Sequence, residues 1–207
     1  MIPRSAEADL ARLRGEGASR AEIARALNWE NSGWPDFDYY APIMEAAAGA
    51  VILGAEAPRA QLRTAMAEGA AAAFGEGAAR FGLDLALPSE EQAAQETIQA
   101  EAHCDMLPPE MLPGMVAAQR LRDALLAEAV LRAVALPGDG PVLVIAGNGH
   151  AGYDSGAPAL LRLAAPELSL FVLAQLEAPP QGDLPYDAVH VTGAPERDDP
   201  CAAFAGR

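Results

Sequence analysis

The run Val142-Leu143-Val144-Ile145-Ala146 followed by Gly147-Asn148-Gly149-His150 constrains the fold more than any other stretch of the chain. Five apolar residues in succession, without polar alternation, are the pattern of a parallel strand buried on both faces. Pro137-Gly138-Asp139-Gly140-Pro141 stops whatever precedes it, so the run is short and its limits are clear. A strand of this kind needs neighbours on both edges and helices over both faces. The expectation is therefore an α/β fold with a mostly parallel central sheet.

The rest of the chain supplies the other parts. Ala50-Val51-Ile52-Leu53-Gly54-Ala55 is a second short apolar run, and 168–173 and 188–192 are two further strand candidates. A helix expected at 158–165 separates 142–146 from 168–173, and strand, helix, strand in that order implies right-handed parallel crossovers. Helical spacing also predicts two short helices over 5–28 broken at Gly15-Glu16-Gly17, one over 40–48, others over 60–73 and 75–81, and one towards His103 with Ser89 as N-cap. The longest is expected over 113–135. With 51% apolar and only 5% aromatic residues, alanine-rich helices around a small sheet of Val, Ile and Leu suit the composition. A length of 207 residues gives one domain, 1–207, with its own core.

Charge excludes some partners. The net charge is −15 and all 14 basic residues are arginine, so neither nucleic-acid backbones nor anionic membrane surfaces are the expected partner. No apolar run reaches the roughly 18 residues of a transmembrane helix. Met1-Ile2-Pro3-Arg4-Ser5-Ala6-Glu7 is not a basic region leading into an apolar one, so no export signal is visible. Cys104 and Cys201 stand far apart with no Cys-x-x-Cys spacing; two independent thiols are expected, a single disulfide being the alternative.

Four stretches could carry chemistry. Gly147, Asn148, Gly149 and His150 follow a strand, where α/β sheets collect their ligands. A histidine there can ligate a metal or haem, carry a proton or donate a hydrogen bond, or simply close a turn. On the long helix Arg122 falls near the middle of an apolar face, with Gln119 and Asp123 beside it. A core-facing guanidinium needs a partner, either a structural carboxylate or a bound anion, whereas Arg120 is expected on a more polar side. His103-Cys104-Asp105-Met106 could ligate a metal or merely turn a proline-rich corner. The segment 29–40 holds both tryptophans together with Phe37, Tyr39 and Tyr40; it could line a flat apolar ligand such as a porphyrin, with tyrosinate on iron, or pack inward. Glu56, just after Gly54-Ala55, is a weaker candidate for a polar site group.

Taken in order, several pieces resemble the ChaN-like family of the Tiki superfamily. They are Leu27-Asn28-Trp29-Glu30 with Gly33-Trp34-Pro35, Tyr40-Ala41-Pro42-Ile43, and His103-Cys104-Asp105-Met106-Leu107-Pro108. Leu112-Pro113-Gly114-Met115-Val116 with Ala118-Gln119-Arg120-Leu121-Arg122-Asp123, then Gly147-Asn148-Gly149-His150 and Asp199-Pro200-Cys201, complete the set. The resemblance covers nearly the whole chain. It implies a ChaN/EreA-like core, a mostly parallel sheet flanked by many helices, and a non-catalytic haem-binding protein of iron uptake. It also implies a bacterial protein, a homodimer sheltering haem, and a periplasmic or lipoprotein location where a segment precedes this chain.

The family pattern has two Gly-x-x-His motifs, a glutamate after the second strand and an arginine on a long helix. Gly147 to His150 match the second motif and Arg122 the arginine. The first motif and its strand have no counterpart, and Met1-Ile2-Pro3 is similar to the end of the segment that carries the family glutamate, so the chain reads as N-terminally truncated. The ligand set implied is His150, Asn148, Gly147, Gly149, Arg122 and Tyr153, with His150 and His103 as candidate metal ligands. Tyrosine is the expected axial type, without a choice among Tyr39, Tyr40, Tyr153 and Tyr186. Related branches are metal-dependent proteases or esterases, so a divalent-metal hydrolase is the alternative, and a degenerate domain without ligand a third.

Overall fold

A computed structural model describes residues 2–138, 140–199 and 201–202. Met1, Asp139 and Pro200, which belong to three of the sequence motifs above, lie outside the described residues. The chain divides into two compact units: the residues up to Pro58 with Glu128–Val142, and Arg59–Ala127 with the residues from Leu143 onward.

In the first unit, α2 (Arg20–Ala26) and α3 (Ala41–Ala46) pack on one aromatic cluster, and α1 (Glu7–Gly15) lies against α2. Ser19 and Glu22 close a reciprocal capping box at the start of α2, satisfying two of the amide groups a helix start leaves free. Trp29, Phe37 and Ala41 are buried with Leu27, and Ile23, Tyr40 and Met44 pack against them. The Trp29 ring lies 5.1 Å from Phe37 and 5.0 Å from Tyr40, centroid to centroid, and its N–H donates to the Pro35 carbonyl at 2.7 Å. The aromatic segment 29–40 thus turns Trp29, Phe37 and Tyr40 into its own core, leaving Trp34 and Tyr39 exposed. Arg14 reaches from α1 to carbonyls at the end of α3, donating to Ala50 at 2.8 Å and to Ala47.

The second unit holds α4 (Arg59–Glu68), α5 (Ala70–Phe74), α6 (Ser89–Ala102), most of α7 (Leu112–Val134) and α8 (Ala157–Ala164). It also holds β1 (Leu173–Leu176) and β2 (Ala188–Val191). Gly69, at φ +95°, splits the single helix expected over 60–73 into α4 and α5. Ser89 is the first residue of α6 and Pro88 its cap, so Ser89 makes no capping bond. On α7, Val116, Ala118, Leu121, Ala124 and Ala127 are fully buried, and α4 approaches so closely that a Cβ at Gly114 would stand 2.9 Å from the Met66 carbonyl oxygen. Arg120, expected on a polar side, is half-buried and donates to the carbonyls of Gly82 at 2.8 Å and Leu85 at 3.0 Å.

The described residues form a helix-rich α/β structure with one two-stranded sheet. A mostly parallel central sheet was expected; among the described residues the sheet is one parallel pair, β1 with β2, in the register Leu173 with Ala188 through Leu176 with Val191. β1, however, begins where the strand expected over 168–173 ends, because Val172 is the first residue whose carbonyl meets the partner, accepting from Asp187 and Ala188. The runs 50–55 and 142–146 are extended but form no strands among the described residues. Among the described residues no neighbouring backbone completes a ladder beside them; 142–146 is exposed throughout, Leu143 at 83%, and in 50–55 Val51 is 69% exposed while Ile52 and Leu53 are half-buried. A strand is defined by its partner; an apolar run alone supplies only half of one. Among the described residues, no helix is long and apolar enough to cross a membrane.

The two cysteines correct the sequence expectation. Cys104 and Cys201 form a disulfide, with Cα atoms 5.6 Å apart. Cys104 and Asp105 both adopt left-handed backbone, φ +59° and +54°, which ends α6 and turns the chain sharply. That turn swings Cys104 out of the helical path to where Cys201 stands.

Candidate functional site

Gly147 leads into a single 3-10 turn, Asn148–His150, closed by the His150 N–H donating to the Gly147 carbonyl at 2.9 Å. Asn148 pins the turn to the sheet, its side-chain amide donating to the Gln175 carbonyl of β1 at 3.0 Å. Neither Gly147 nor Gly149 has positive φ, so the turn does not need them for conformational freedom. What they provide is bare wall. A Cβ at Gly147 would meet nothing within 4 Å, and one at Gly149 only the Gln119 amide at 3.9 Å.

Both glycines line a cavity of about 460 Å³, within the range of small-molecule sites. α6 supplies Ile98, Gln99 and Ala102, with His103 just past its end; α7 supplies Met115, Gln119 and Arg122. The turn supplies Asn148 and His150, and Asp154, Ser155, Pro185 and Tyr186 complete the wall. Most side chains of this lining are polar, with Ile98, Ala102, Met115 and Pro185 as its apolar members, and both sequence-predicted histidines share one cavity.

His150 is held by Asp123, which the sequence offered only as a neighbour and candidate ion-pair partner of Arg122. Its Nδ1 lies 2.6 Å from Oδ1 of Asp123, whose side chain is 2% exposed. Burial pushes the Asp123 carboxyl up to about 6, against the hydrogen bond and charge of His150 and the charge of Arg122, which favour ionisation. Gln119, one helical turn before Asp123, donates its amide to the Gly149 carbonyl at 3.0 Å and lies 3.0 Å from the same Nδ1. The signal for these two residues was present: Gln119 and Asp123 are four apart on one helix, so they stack on one face towards whatever packs there. Nothing in the chain said that the histidine turn would.

His103 is likewise engaged at Nδ1. Its Nδ1 is 2.8 Å from the Gln99 carbonyl, which can only accept, so Nδ1 carries the hydrogen and Nε2 keeps its lone pair. Arg122 lines the cavity half-buried, and burial lowers its pKa with only the charge of Asp123 opposing. Among the described residues it has no hydrogen-bond or ion-pair partner. A desolvated guanidinium in that state is ready for an anion.

Other predicted residues go elsewhere. Tyr153 does not line the cavity; its hydroxyl donates to Asp187 at 2.5 Å, Arg162 stacks on its ring at 3.7 Å, and its pKa is pushed up to about 12 by burial and by Asp187. Of the four tyrosines, Tyr186 lines the cavity. Its hydroxyl donates to the Asn148 carbonyl at 3.3 Å, and burial with the nearby Asp154 charge raises its pKa, which favours phenol over phenolate. From His103-Cys104-Asp105-Met106, only His103 reaches the cavity. Glu56 belongs to the first unit, where its N–H donates to the Ile2 carbonyl. Among the described residues, no three His, Cys, Asp or Glu side chains gather as a metal-binding cluster.

The arrangement can do two things chemically. It can present imidazole nitrogens, chiefly Nε2 of His150, to an iron or other borderline metal centre, and it can hold a carboxylate at Arg122. No curated protein and no solved structure matches the chain. The model of the family described as haem-binding uptake, Tiki superfamily, ChaN, matches residues 1–161, more than three quarters of the sequence and a span that includes α6, α7 and the His150 turn. On that match the chain belongs to the ChaN family of haem-binding uptake proteins in the Tiki superfamily.

Proposed function

We propose that the chain binds haem in the cavity of its second unit, as a non-catalytic component of iron uptake. The observation that carries this reading is the cavity wall itself. Gly147 and Gly149 leave it free of side chains beside His150, whose Nδ1 is engaged and whose Nε2 has no protein partner among the described residues. Bound haem would supply an iron with axial positions and two propionates. His150 would ligate the iron, and Arg122 would hold a propionate. His150 is preferred to Tyr186 because the environment of Tyr186 works against the phenolate an iron ligand requires. Ile98, Met115 and Pro185 offer apolar contact to the ring.

The disulfide supports a working place outside the reducing cytosol, since such bonds persist in the periplasm and at cell surfaces. Parallel pairing of β1 and β2 supports the wider parallel sheet that the family resemblance implies. A homodimer enclosing haem belongs to the same reading and is tested by mass measurement with and without haemin.

A second reading, a hydrolase of the same superfamily, is favoured by one observation. A histidine backed by a buried carboxylate is also how a general base is built. On this reading a divalent metal would have to be held with fewer than three clustered His, Cys, Asp or Glu ligands among the described residues.

The deciding experiment is an absorbance titration with haemin of the wild type, His150→Ala and Arg122→Gln. Saturable Soret binding at one haem or fewer per chain, weakened at least tenfold by His150→Ala, supports haem binding at this site. Binding that ignores His150→Ala, or none at all, refutes it. Metal-dependent hydrolysis of a peptide or ester that His150→Ala abolishes would establish the second reading.

A further inference from the structure

We propose that Asp123 is the positioning residue of this site, fixing the tautomer of His150 so that Nε2, not Nδ1, carries the free lone pair. Its consequence for ligand binding rests on the haem reading above; the tautomer itself does not.

Two groups compete for Nδ1 of His150. Asp123 Oδ1 lies 2.6 Å away and the Gln119 side-chain nitrogen 3.0 Å away. The orientation of the Gln119 amide is not free: the same nitrogen also donates to the Gly149 carbonyl at 3.0 Å, and a carbonyl accepts only. So Gln119 can serve Nδ1 only as a donor, which requires Nδ1 bare and the hydrogen on Nε2. A carboxylate requires the opposite, a hydrogen on Nδ1. These demands are exclusive, and the carboxylate wins on two grounds. Its contact is shorter and charge-assisted, about twice the strength of a neutral pair. Gln119 moreover keeps a good acceptor in Gly149 when it loses Nδ1.

Geometry makes the choice persistent. Asp123 is 1% exposed, on a helix whose adjacent Ala124 is fully buried, so the carboxylate has no solvent-facing alternative. His150 is in turn held at its backbone by the 3-10 turn. A ring tethered through Nδ1 keeps Nε2 as its ligand atom, in the manner of carboxylate–histidine pairs behind metal ligands. Gln119 then has a definite role in any variant lacking the carboxylate. Among the described residues it is then the one polar partner left to Nδ1, and it draws the hydrogen to Nε2, turning the ligand nitrogen into a donor.

The test is long-range nitrogen–proton NMR on histidine-labelled protein without haem, with His150 assigned by its loss in His150→Gln. The chain has only 3 histidines, so the spectrum is simple. The wild type and Gln119→Leu should both show hydrogen on Nδ1 and a bare Nε2, while Asp123→Leu should move the hydrogen to Nε2. A bare Nδ1 in the wild type, or an unchanged tautomer in Asp123→Leu with a native far-ultraviolet spectrum, overturns the proposal. Should Asp123→Leu not fold, Asp123→Ala, which likewise offers Nδ1 no acceptor, replaces it under the same criterion.

Haemin titration of the same proteins separates this proposal from the functional reading. Asp123→Leu should bind about 10–100-fold more weakly than the wild type, the usual cost of losing a residue behind a ligand histidine. If haemin binds no variant and no wild type, the haem reading fails and NMR alone decides the tautomer. If His150→Ala loses binding and Asp123→Leu does not, despite a shifted tautomer, haem binding stands and positioning by Asp123 is wrong.

Discussion

Cys104 at the end of α6 is bonded to Cys201 across 97 residues, and the residue before Cys104 is His103, whose ring lines the candidate cavity. The bond therefore closes a long loop containing α7, the His150 turn and both strands. Closing such a loop removes freedom mainly from the unfolded chain, by typically about 2–4 kcal/mol. Cys104→Ser with Cys201→Ser, or simple reduction, should lower unfolding stability by that amount. Urea unfolding with and without reductant checks it; coincident curves would mean that the bond gives no net restraint of the unfolded chain.

Arg132 and Glu7 give a pH dependence whose sign is fixed. Their side chains meet at 2.6 Å and are mostly buried, and Glu7 also accepts from the Gly54 N–H at 2.7 Å. Burial alone would raise the Glu7 pKa. The hydrogen bonds from Arg132 and Gly54, with the charges of Arg132 and Arg4, outweigh it and leave the carboxyl below its ordinary value. A depressed carboxylate stabilises the fold fully above its unfolded pKa of about 4.3, and that stability disappears as pH falls through the lower folded value. Glu7→Gln should cost about 1–2 kcal/mol near neutrality. It should also flatten the acid side of the stability profile, which unfolding curves over a pH series would show.

The close approach of α4 and α7 at Gly114 gives a third prediction, in which two effects oppose. Alanine is the better helix former by about 0.5–1 kcal/mol. Its Cβ would stand 2.9 Å from the Met66 carbonyl, a backbone atom that cannot rotate aside. Overpacking of this kind costs about 1–3 kcal/mol, so Gly114→Ala should destabilise on balance. An unchanged or raised midpoint in thermal unfolding would show that the helices can part without cost.

What the sequence made legible follows a physical line. The His150 turn could be read locally, because strand-like run, glycines and histidine are contiguous, and α7 was evident from its length between two prolines. Asp123 could not be assigned a role, because that depends on a partner 27 residues later in the chain. Burial on α7 misled the periodicity argument as well. Val116, Ala118, Leu121, Asp123, Ala124 and Ala127 are all buried, which wraps most of the helix rather than one stripe. The run 142–146 had the composition of a buried strand, yet strand formation depends on a neighbour that no local pattern specifies. The cysteines failed for the same reason, since separation along the chain carries no information about distance in space.

Arg122 separates binding from stability, and this makes it the more informative substitution in the cavity. A residue whose charge is already paired within the fold contributes to stability, and removing it costs free energy in the empty protein. Among the described residues Arg122 makes no hydrogen bond or ion pair, and burial outweighs its attraction to the nearby Asp123 charge, as its lowered pKa records. Arg122→Gln should leave stability within about 0.5 kcal/mol of the wild type, or raise it slightly. For a bound carboxylate the balance reverses. A charge-assisted hydrogen bond is worth about 1.5–3 kcal/mol, which corresponds to a loss of roughly 10–150-fold in affinity. The measurement is a pair: urea unfolding of the empty protein, then haemin titration alongside haemin dimethyl ester, whose carboxylates are blocked. If Arg122 holds a propionate, the substitution weakens haemin and leaves the ester unaffected. Equal weakening of both would place Arg122 against the ring instead, and a loss of several kcal/mol in the empty protein would make it a structural cation.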